Sequence, residues 1–291
     1  MKFSRLFIPL CLFVASLNAS AEDALKPFQL SSQSPGEMAT VIAATKGKLE
    51  AAGFKVVGEY SPYNNAHVIV VTSDELLSTA GQSEHGGYGA VVRVSVTKNG
   101  DNIEVAYANP SYWAAAYRMG DVSSVTAKMS SAMGEAEPFG SEEGLTDAEL
   151  RKYHYMAFMP YFDDDDELGD FSSHAEALAK VNANLAAGTN GLSKVFEVAV
   201  PGKEEVLIGV GITEGVGADE AIMSKIDLSD PRHTPHLPYA VLVSGNEVRS
   251  LAGKFRIALS FPDLTMMGKG SFMEISDAPG AIKESLTTLT K

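Results

Sequence analysis

The chain has 291 residues, a formal net charge of −14 and a single cysteine, Cys11. An acidic chain repels nucleic acid and anionic lipid, so the charge excludes nucleic-acid partners. One cysteine permits neither an intrachain disulfide nor a multi-thiolate metal site. A chain of this length must therefore be stabilised by its own hydrophobic core.

The N-terminus has the pattern of a secretory signal. Lys2 and Arg5 precede an apolar run at residues 6–17, and Ala19 and Ala21 occupy positions −3 and −1 of a cleavage site. The run is shorter than the ~20 residues that a spanning helix needs. We predict that residues 1–21 are a signal peptide cleaved after Ala21. Loss of its two cations would take the net charge from −14 to −16, leaving a cysteine-free protein, periplasmic or secreted, without stable membrane insertion.

The two halves of the chain contain the same succession of predicted elements. Each begins with a helix that ends in Ala-Ala-Gly, at Gly53 and at Gly188, where glycine supplies a left-handed cap. Two strands, a short helix, a hairpin and a closing helix follow in both halves. The predicted segments are 38–53, 55–62, 67–72, 73–80, 90–94, 106–110 and 122–133, and then 171–188, 194–201, 205–213, 218–226, 240–243, 258–262 and 278–289.

This succession predicts an α+β fold of two pseudo-symmetric α-β-β-α-β-β-α repeats, mainly antiparallel sheets with helices packed on one face. Gly53 is expected to match Gly188, and Pro110 to match Pro262. The predicted domains are a first α/β repeat at residues 22–137, an aromatic and acidic insert at residues 138–171, and a second α/β repeat at residues 172–291.

Three short motifs carry a family resemblance. They are the helix exit Ala51-Ala52-Gly53-Phe54, the pair Asn109-Pro110 after the last strand of the first repeat, and Leu237-Pro238-Tyr239 in the second. The repeats resemble the bacterial family called domain of unknown function 302, over residues 36–135 and 172–290. Its members form dimers, so the resemblance implies a homodimer or a pseudo-dimer within one chain. It supplies no catalytic residues. Tyr239 replaces the family's cysteine, which argues against thiol chemistry.

Two segments have the composition of a metal site. His233 and His236 are separated by two residues, and borderline metals accept imidazole, although the sequence offers no third ligand. The four aspartates at residues 163–166 suit Ca²⁺ but lack the spacing of an EF-hand loop, so a solvated acidic loop is the alternative. The cofactor stays unknown. An axial haem site from His154 with Met156 or Met159 has no Cys-x-x-Cys-His motif beside it.

The aromatic stretch at residues 153–162 is the strongest candidate for ligand binding, because pockets combine apolar walls with a few polar groups. The candidate residues are Tyr153, His154, Tyr155, Met156 and Met159, together with Tyr112 and Trp113. The alternative is that these side chains only hold the two repeats together, since buried aromatic side chains commonly join domains.

Three functions stay open at this level. The preferred hypothesis is a non-catalytic binding protein that holds a small molecule or a partner in a groove between the repeats. One alternative is a hydrolase-like or metal-dependent enzyme that uses His154 or His67 with carboxylates, which meet only in the folded chain. The other is a structural or assembly component that pairs through sheet edges.

Overall fold

The computed structural model describes residues 24–291. The predicted signal peptide and its cleavage site at Ala21 lie outside the described residues. The first part of the described chain contains, in order, β1 Phe28–Pro35, α1 Met38–Ala51, β2 Lys55–Tyr60, β3 Ala66–Thr72, α2 Asp74–Ala80, β4 Val92–Asn99, β5 Asn102–Ala108, α3 Pro110–Ala116, α4 Ser123–Met133, β6 Glu137–Phe139 and α5 Asp147–Leu150.

The second part of the chain also contains both strands and helices. It contains β7 Asp166–Asp170, α6 His174–Ala186, β8 Leu192–Ala199, β9 Glu205–Ile212, α7 Asp219–Ile226, β10 Tyr239–Ser244, β11 Glu247–Ser250, α8 Gly253–Ser260 and α9 Ala278–Thr287. A short 3₁₀ turn precedes β4 at Gly86–Gly89, and another precedes β10 at Thr234–His236.

The strands form one 11-stranded sheet in the order β6-β1-β5-β4-β3-β2-β8-β9-β10-β11-β7. Each neighbouring pair runs antiparallel. The strands of the first half meet those of the second where Gly58 of β2 pairs with Phe196 of β8. The predicted α+β class with a mainly antiparallel sheet is therefore confirmed.

The strands β3 and β9 are covered on both faces, whereas the predicted fold places helices on one face. Successive residues of a strand point to opposite faces, so a strand with one wet face alternates buried and exposed side chains. Instead, β9 is buried at every residue and β3 at all but one. The cover does not extend over the whole sheet, because β8 has exposed residues between its buried ones.

One predicted strand is a helix. Residues 258–262 were expected to return the second hairpin, but β11 ends at Ser250, and α8 then runs through Ser260. All of α8 except Lys254 is buried, so its apolar residues form a continuous run instead of the spaced pattern that marks a surface helix. Pro110 begins α3, whereas Pro262 follows α8, so the expected match between these prolines is wrong.

A buried hydrogen bond joins β2, the strand of the first half that lies at the middle of the sheet, to α7 of the second half. Tyr60 of β2 donates from its hydroxyl to Asp219 Oδ2 at 3.0 Å, and the other oxygen of Asp219 has no partner within the described residues. Burial raises the pKa of Asp219 to about 7, while the bonds from Tyr60 and from the Ile212 N–H act in the opposite direction. The carboxyl therefore loses its proton in the folded protein only near neutral pH.

Replacing Asp219 by asparagine is expected to remove part of the pH dependence of stability. Between pH 4 and 7 the folded protein keeps a proton that the unfolded chain has released, so the contribution of Asp219 to the free energy of unfolding falls as pH rises. With about 1.4 kcal/mol per unit of pKa shift, Asp219→Asn is expected to gain about 2–4 kcal/mol over wild type between pH 4.5 and 8. Urea unfolding of both proteins at the two pH values measures this, and identical pH dependence would contradict it.

Candidate functional site

The aromatic stretch of the insert contacts both halves of the chain. Phe162 stacks on Tyr117 with ring centroids 5.5 Å apart, and its ring also meets that of Phe255 at 6.3 Å. Tyr153 donates a hydrogen bond of 3.2 Å to the carbonyl of Ala258. The acidic run after it is only partly solvated, because Asp165 is buried and pairs with Arg249 at 2.7 Å.

The seven predicted ligand-binding residues do not form a single site. Tyr155, Met156 and Met159 line an apolar pocket at the surface. Tyr112 is fully buried and donates to the carbonyl of Leu259, which joins α3 to α8. Trp113 is also buried and donates to the carbonyl of Pro27. Tyr153 makes the bond described above, and His154 packs on Tyr161 with ring centroids 4.4 Å apart.

The two histidines of the predicted metal site are buried and hydrogen-bonded. His236 Nδ1 lies 2.7 Å from Ser260 Oγ and its Nε2 lies 3.0 Å from the Tyr239 hydroxyl, so both ring nitrogens are engaged. His233 Nδ1 lies 3.1 Å from the carbonyl of Ser260. Burial lowers the pKa of His233 to about 4 and that of His236 well below the ordinary value. Within residues 24–291, no three His, Cys, Asp or Glu side chains converge as a metal site.

A hydrogen-bonded chain of serine, histidine and glutamate lies on the β2–β3 hairpin. His67 Nδ1 is 3.1 Å from Ser61 Oγ, and His67 Nε2 is 3.3 Å from Glu59 Oε2. Ser61 and Glu59 are exposed, and Lys46 binds Glu59 at 2.8 Å, which lowers the pKa of that carboxyl. A catalytic triad works beside donors that stabilise an oxyanion away from water. Because Ser61 and Glu59 are exposed to water, we interpret these hydrogen bonds as a contact that stabilises the surface of the hairpin, not as a catalytic triad.

Two arginines are buried beside one tryptophan. Arg93 of β4 is 8% exposed and Arg256 of α8 is 4% exposed. The Cζ atom of each guanidinium group lies 4.8 Å from the centroid of the Trp113 ring. The two Cζ atoms are therefore at most 2 × 4.8 Å = 9.6 Å apart. Each half of the chain therefore contributes one cation to the same place.

Neither of these arginines has a carboxylate partner in the described part of the chain. Four other arginines form ion pairs, namely Arg118, Arg151, Arg232 and Arg249. Arg256 donates instead to Ser260 Oγ at 3.2 Å and to the carbonyl of His236. The Nε atom of Arg93 has no partner. Burial, reinforced by the charge of Arg256, lowers the pKa of Arg93.

This arrangement leaves positive charge uncompensated. An arginine stays protonated at neutral pH. Removing an ion from water costs several kcal/mol, whereas a cation–π contact returns only about 0.5–2 kcal/mol. An anion beside both guanidinium groups would offset the difference, and a guanidinium fork suits small oxyanions as well as halides.

A small cavity lies beside the two guanidinium groups. Its volume is about 20 Å³, which is enough for one water molecule or an anion of similar size. Residues from both halves form its wall: Tyr88, Arg93 and Tyr117 from the first, and Phe196, Leu207, Tyr239 and Arg256 from the second. We refer to this cavity with its two arginines as the arginine pocket.

The sequence analysis missed the arginines of this pocket, although a signal was present. Arg93 interrupts the apolar strand segment 90–94, and Arg256 interrupts the apolar run 255–259. A lone cation inside an apolar run is expected to be paired when the run is buried. The sequence could not show that both cations face Trp113, because the three residues come from different elements.

A scan of protein-family models and searches of curated proteins and of solved structures gave no significant match. Among residues 24–291, no helix has the length and hydropathy needed to cross a bilayer. The arginine pocket is thus the candidate functional site on physical grounds alone.

Proposed function

We propose that the chain is an exported binding protein that holds a small monovalent anion in the arginine pocket, at the junction of two related halves. The observation that carries this proposal is a pair of buried guanidinium groups beside one cavity, without a carboxylate partner among the described residues. Native proteins neutralise buried charge with a partner or a bound ion. The proposed anion is chloride or one of similar size, because the cavity admits little more.

The order of the strands supports the proposal of two related halves. From the centre outwards, the first half runs β2-β3-β4-β5-β1 and the second runs β8-β9-β10-β11-β7, while β6 lies outside β1 and has no counterpart in the second half. Both central strands carry a bulge, between Val56 and Gly58 and between Lys194 and Phe196. Gly53 and Gly188 both have positive φ after the first helix of their half. In this proposal the halves are copies of the unit resembling domain of unknown function 302, and they form a pseudo-dimer.

Each half also has a short turn that contacts strands of the other half across the junction. The turn Gly86–Gly89 of the first half contacts β9 and β10 of the second, and the turn Thr234–His236 contacts β3, β4 and β5 of the first. Gly87 N–H donates to Glu205 at 3.2 Å, and Thr97 donates to Thr234 at 2.8 Å. A pocket built at such a junction is fixed by both halves, which favours a rigid binding site over a flexible surface groove.

An anion titration tests this function. In a buffer whose only small-molecule anion is the bulky sulfonate of HEPES, adding chloride or nitrate is expected to raise the unfolding midpoint in a saturable way. An anion present at 100 times its Kd stabilises the folded protein by about 2.7 kcal/mol. His154→Ala is the matched control, because His154 does not line the arginine pocket, and it is expected to keep the full anion response. A wild-type midpoint that is independent of the anion at constant ionic strength would contradict the proposal.

A further inference from the structure

Exposed methionine side chains are concentrated in the insert and in the segment that follows α8. Met156, Met266, Met267 and Met273 are 46%, 41%, 80% and 57% exposed. Other methionines are buried in the core: Met119, Met129, Met133 and Met223. Leaving several large apolar side chains in water is unfavourable, so this concentration calls for a reason.

Three methionines, two of these exposed ones and the half-buried Met159, line a single pocket. Met156 and Met159 come from the insert, and Met266 comes from the loop after α8. The remaining walls are mainly apolar and include Ile257, Phe261, Leu264 and Phe272. Lys254 is the one cationic side chain at this wall, and its long aliphatic stem lets the ammonium group reach water.

Hydrogen bonds hold the two methionine-bearing segments together. Met159 N–H donates to the carbonyl of Met156 at 3.0 Å, which places both side chains on one turn. The Tyr155 hydroxyl donates to the carbonyl of Leu264 at 3.2 Å and so ties the insert to the loop. Met273 N–H donates to the carbonyl of Met266 at 3.2 Å and closes the loop on itself. The backbone of the two segments is therefore held in place, while the flexible methionine side chains at the pocket can adjust.

We propose that Met156, Met159 and Met266 form a site for a soft monovalent cation, Cu(I) or Ag(I). Soft thioether sulfur selects such ions over Zn²⁺ and Mg²⁺, which prefer imidazole, thiolate or oxygen ligands. The negative net charge of −14 favours the approach of a cation. This site is separate from the arginine pocket and does not depend on the function proposed for it.

Leucine substitutions test the site because they remove sulfur and keep the apolar volume. The triple variant Met156→Leu, Met159→Leu, Met266→Leu is expected to lose at least tenfold in affinity for Cu(I). The measurement is competition with bicinchoninate under ascorbate without oxygen, and Ag(I) binding in nitrate buffer is followed by calorimetry. Met38→Leu, which changes a partly buried methionine of α1 outside this surface, is the matched control and is expected to bind like wild type.

The outcomes separate sulfur chemistry from hydrophobic docking. A surface that serves an apolar partner would be unchanged by leucine, so equal Cu(I) binding by wild type and the triple variant would overturn the proposal. Failure of wild type to bind either ion would also overturn it. Loss of binding in the triple variant supports the site when its circular dichroism and unfolding midpoint match those of wild type.

Discussion

Replacing Arg93 by methionine is expected to stabilise the protein in a buffer without small anions. The buried guanidinium has no carboxylate partner in the described chain and lies near a second one. Exchanging buried ionic groups for apolar residues of similar volume is often stabilising by about 1–4 kcal/mol. The unfolding midpoint of Arg93→Met should therefore exceed that of wild type under these conditions, measured by urea unfolding.

Saturating chloride is expected to reduce or reverse the difference in stability between Arg93→Met and wild type. The anion stabilises wild type through the arginine pocket, whereas the variant has lost one of its two cations and gains little. Arg118→Met serves as the control, because Arg118 pairs with Asp163 at 2.7 Å near the surface. An exposed pair contributes about 0–1 kcal/mol, so this variant should be slightly less stable and keep the anion response. An Arg93→Met protein that is less stable than wild type without anion would count against uncompensated charge in the pocket.

Replacing Gly58 by alanine is expected to cost about 3 kcal/mol, at the upper end of the usual range for overpacking. Gly58 pairs with Phe196 where the two halves of the sheet meet. A Cβ atom at this position would lie 2.1 Å from the carbonyl oxygen of Val195 and 2.8 Å from the Cβ of Phe196. Backbone cannot yield as a flexible side chain does, so β2 and β8 would have to separate. Overpacking of this kind costs about 1–3 kcal/mol and occasionally more.

Gly47→Ala provides the matched control for that substitution. Gly47 lies within α1, and a Cβ atom there would have no neighbour within 4 Å. Alanine in a helix interior is favoured over glycine by about 0.5–1 kcal/mol, so this variant should be more stable than wild type. Urea unfolding of both variants gives the comparison. A Gly58→Ala protein within 0.5 kcal/mol of wild type would contradict the close packing at the junction.

Much of the fold could be predicted because the strongest local signals agree with the tertiary structure. The helix that ends before Gly53 and the turn at Gly100 between β4 and β5 are fixed by glycine conformations and by periodicity. Prediction failed for the buried helix α8 and for two outer strands of the sheet, β1 and β7. In α8 an apolar run has no exposed face to reveal its helical period, and in β1 and β7 polar residues give no strand pattern.

The candidate site was harder to predict than the fold. The aromatic composition of residues 153–162 pointed to a buried segment, and in the structure this segment is divided between core contacts and a surface pocket. The arginine pocket depends on Arg93, Trp113 and Arg256, which lie on three different elements. Local patterns show that a cation interrupts an apolar run. Only the packing of α3 and α8 on the sheet shows that two such cations share one neighbour.

A crystal structure of the protein grown in bromide tests the anion site most directly, because bromide replaces chloride and is located by its anomalous scattering. The predicted result is one anomalous peak in the arginine pocket, within contact distance of the guanidinium groups of both Arg93 and Arg256, and its absence from crystals of Arg93→Met. An empty or water-filled pocket in wild-type crystals at high bromide, or a carboxylate of the chain filling that place, would contradict the proposed function.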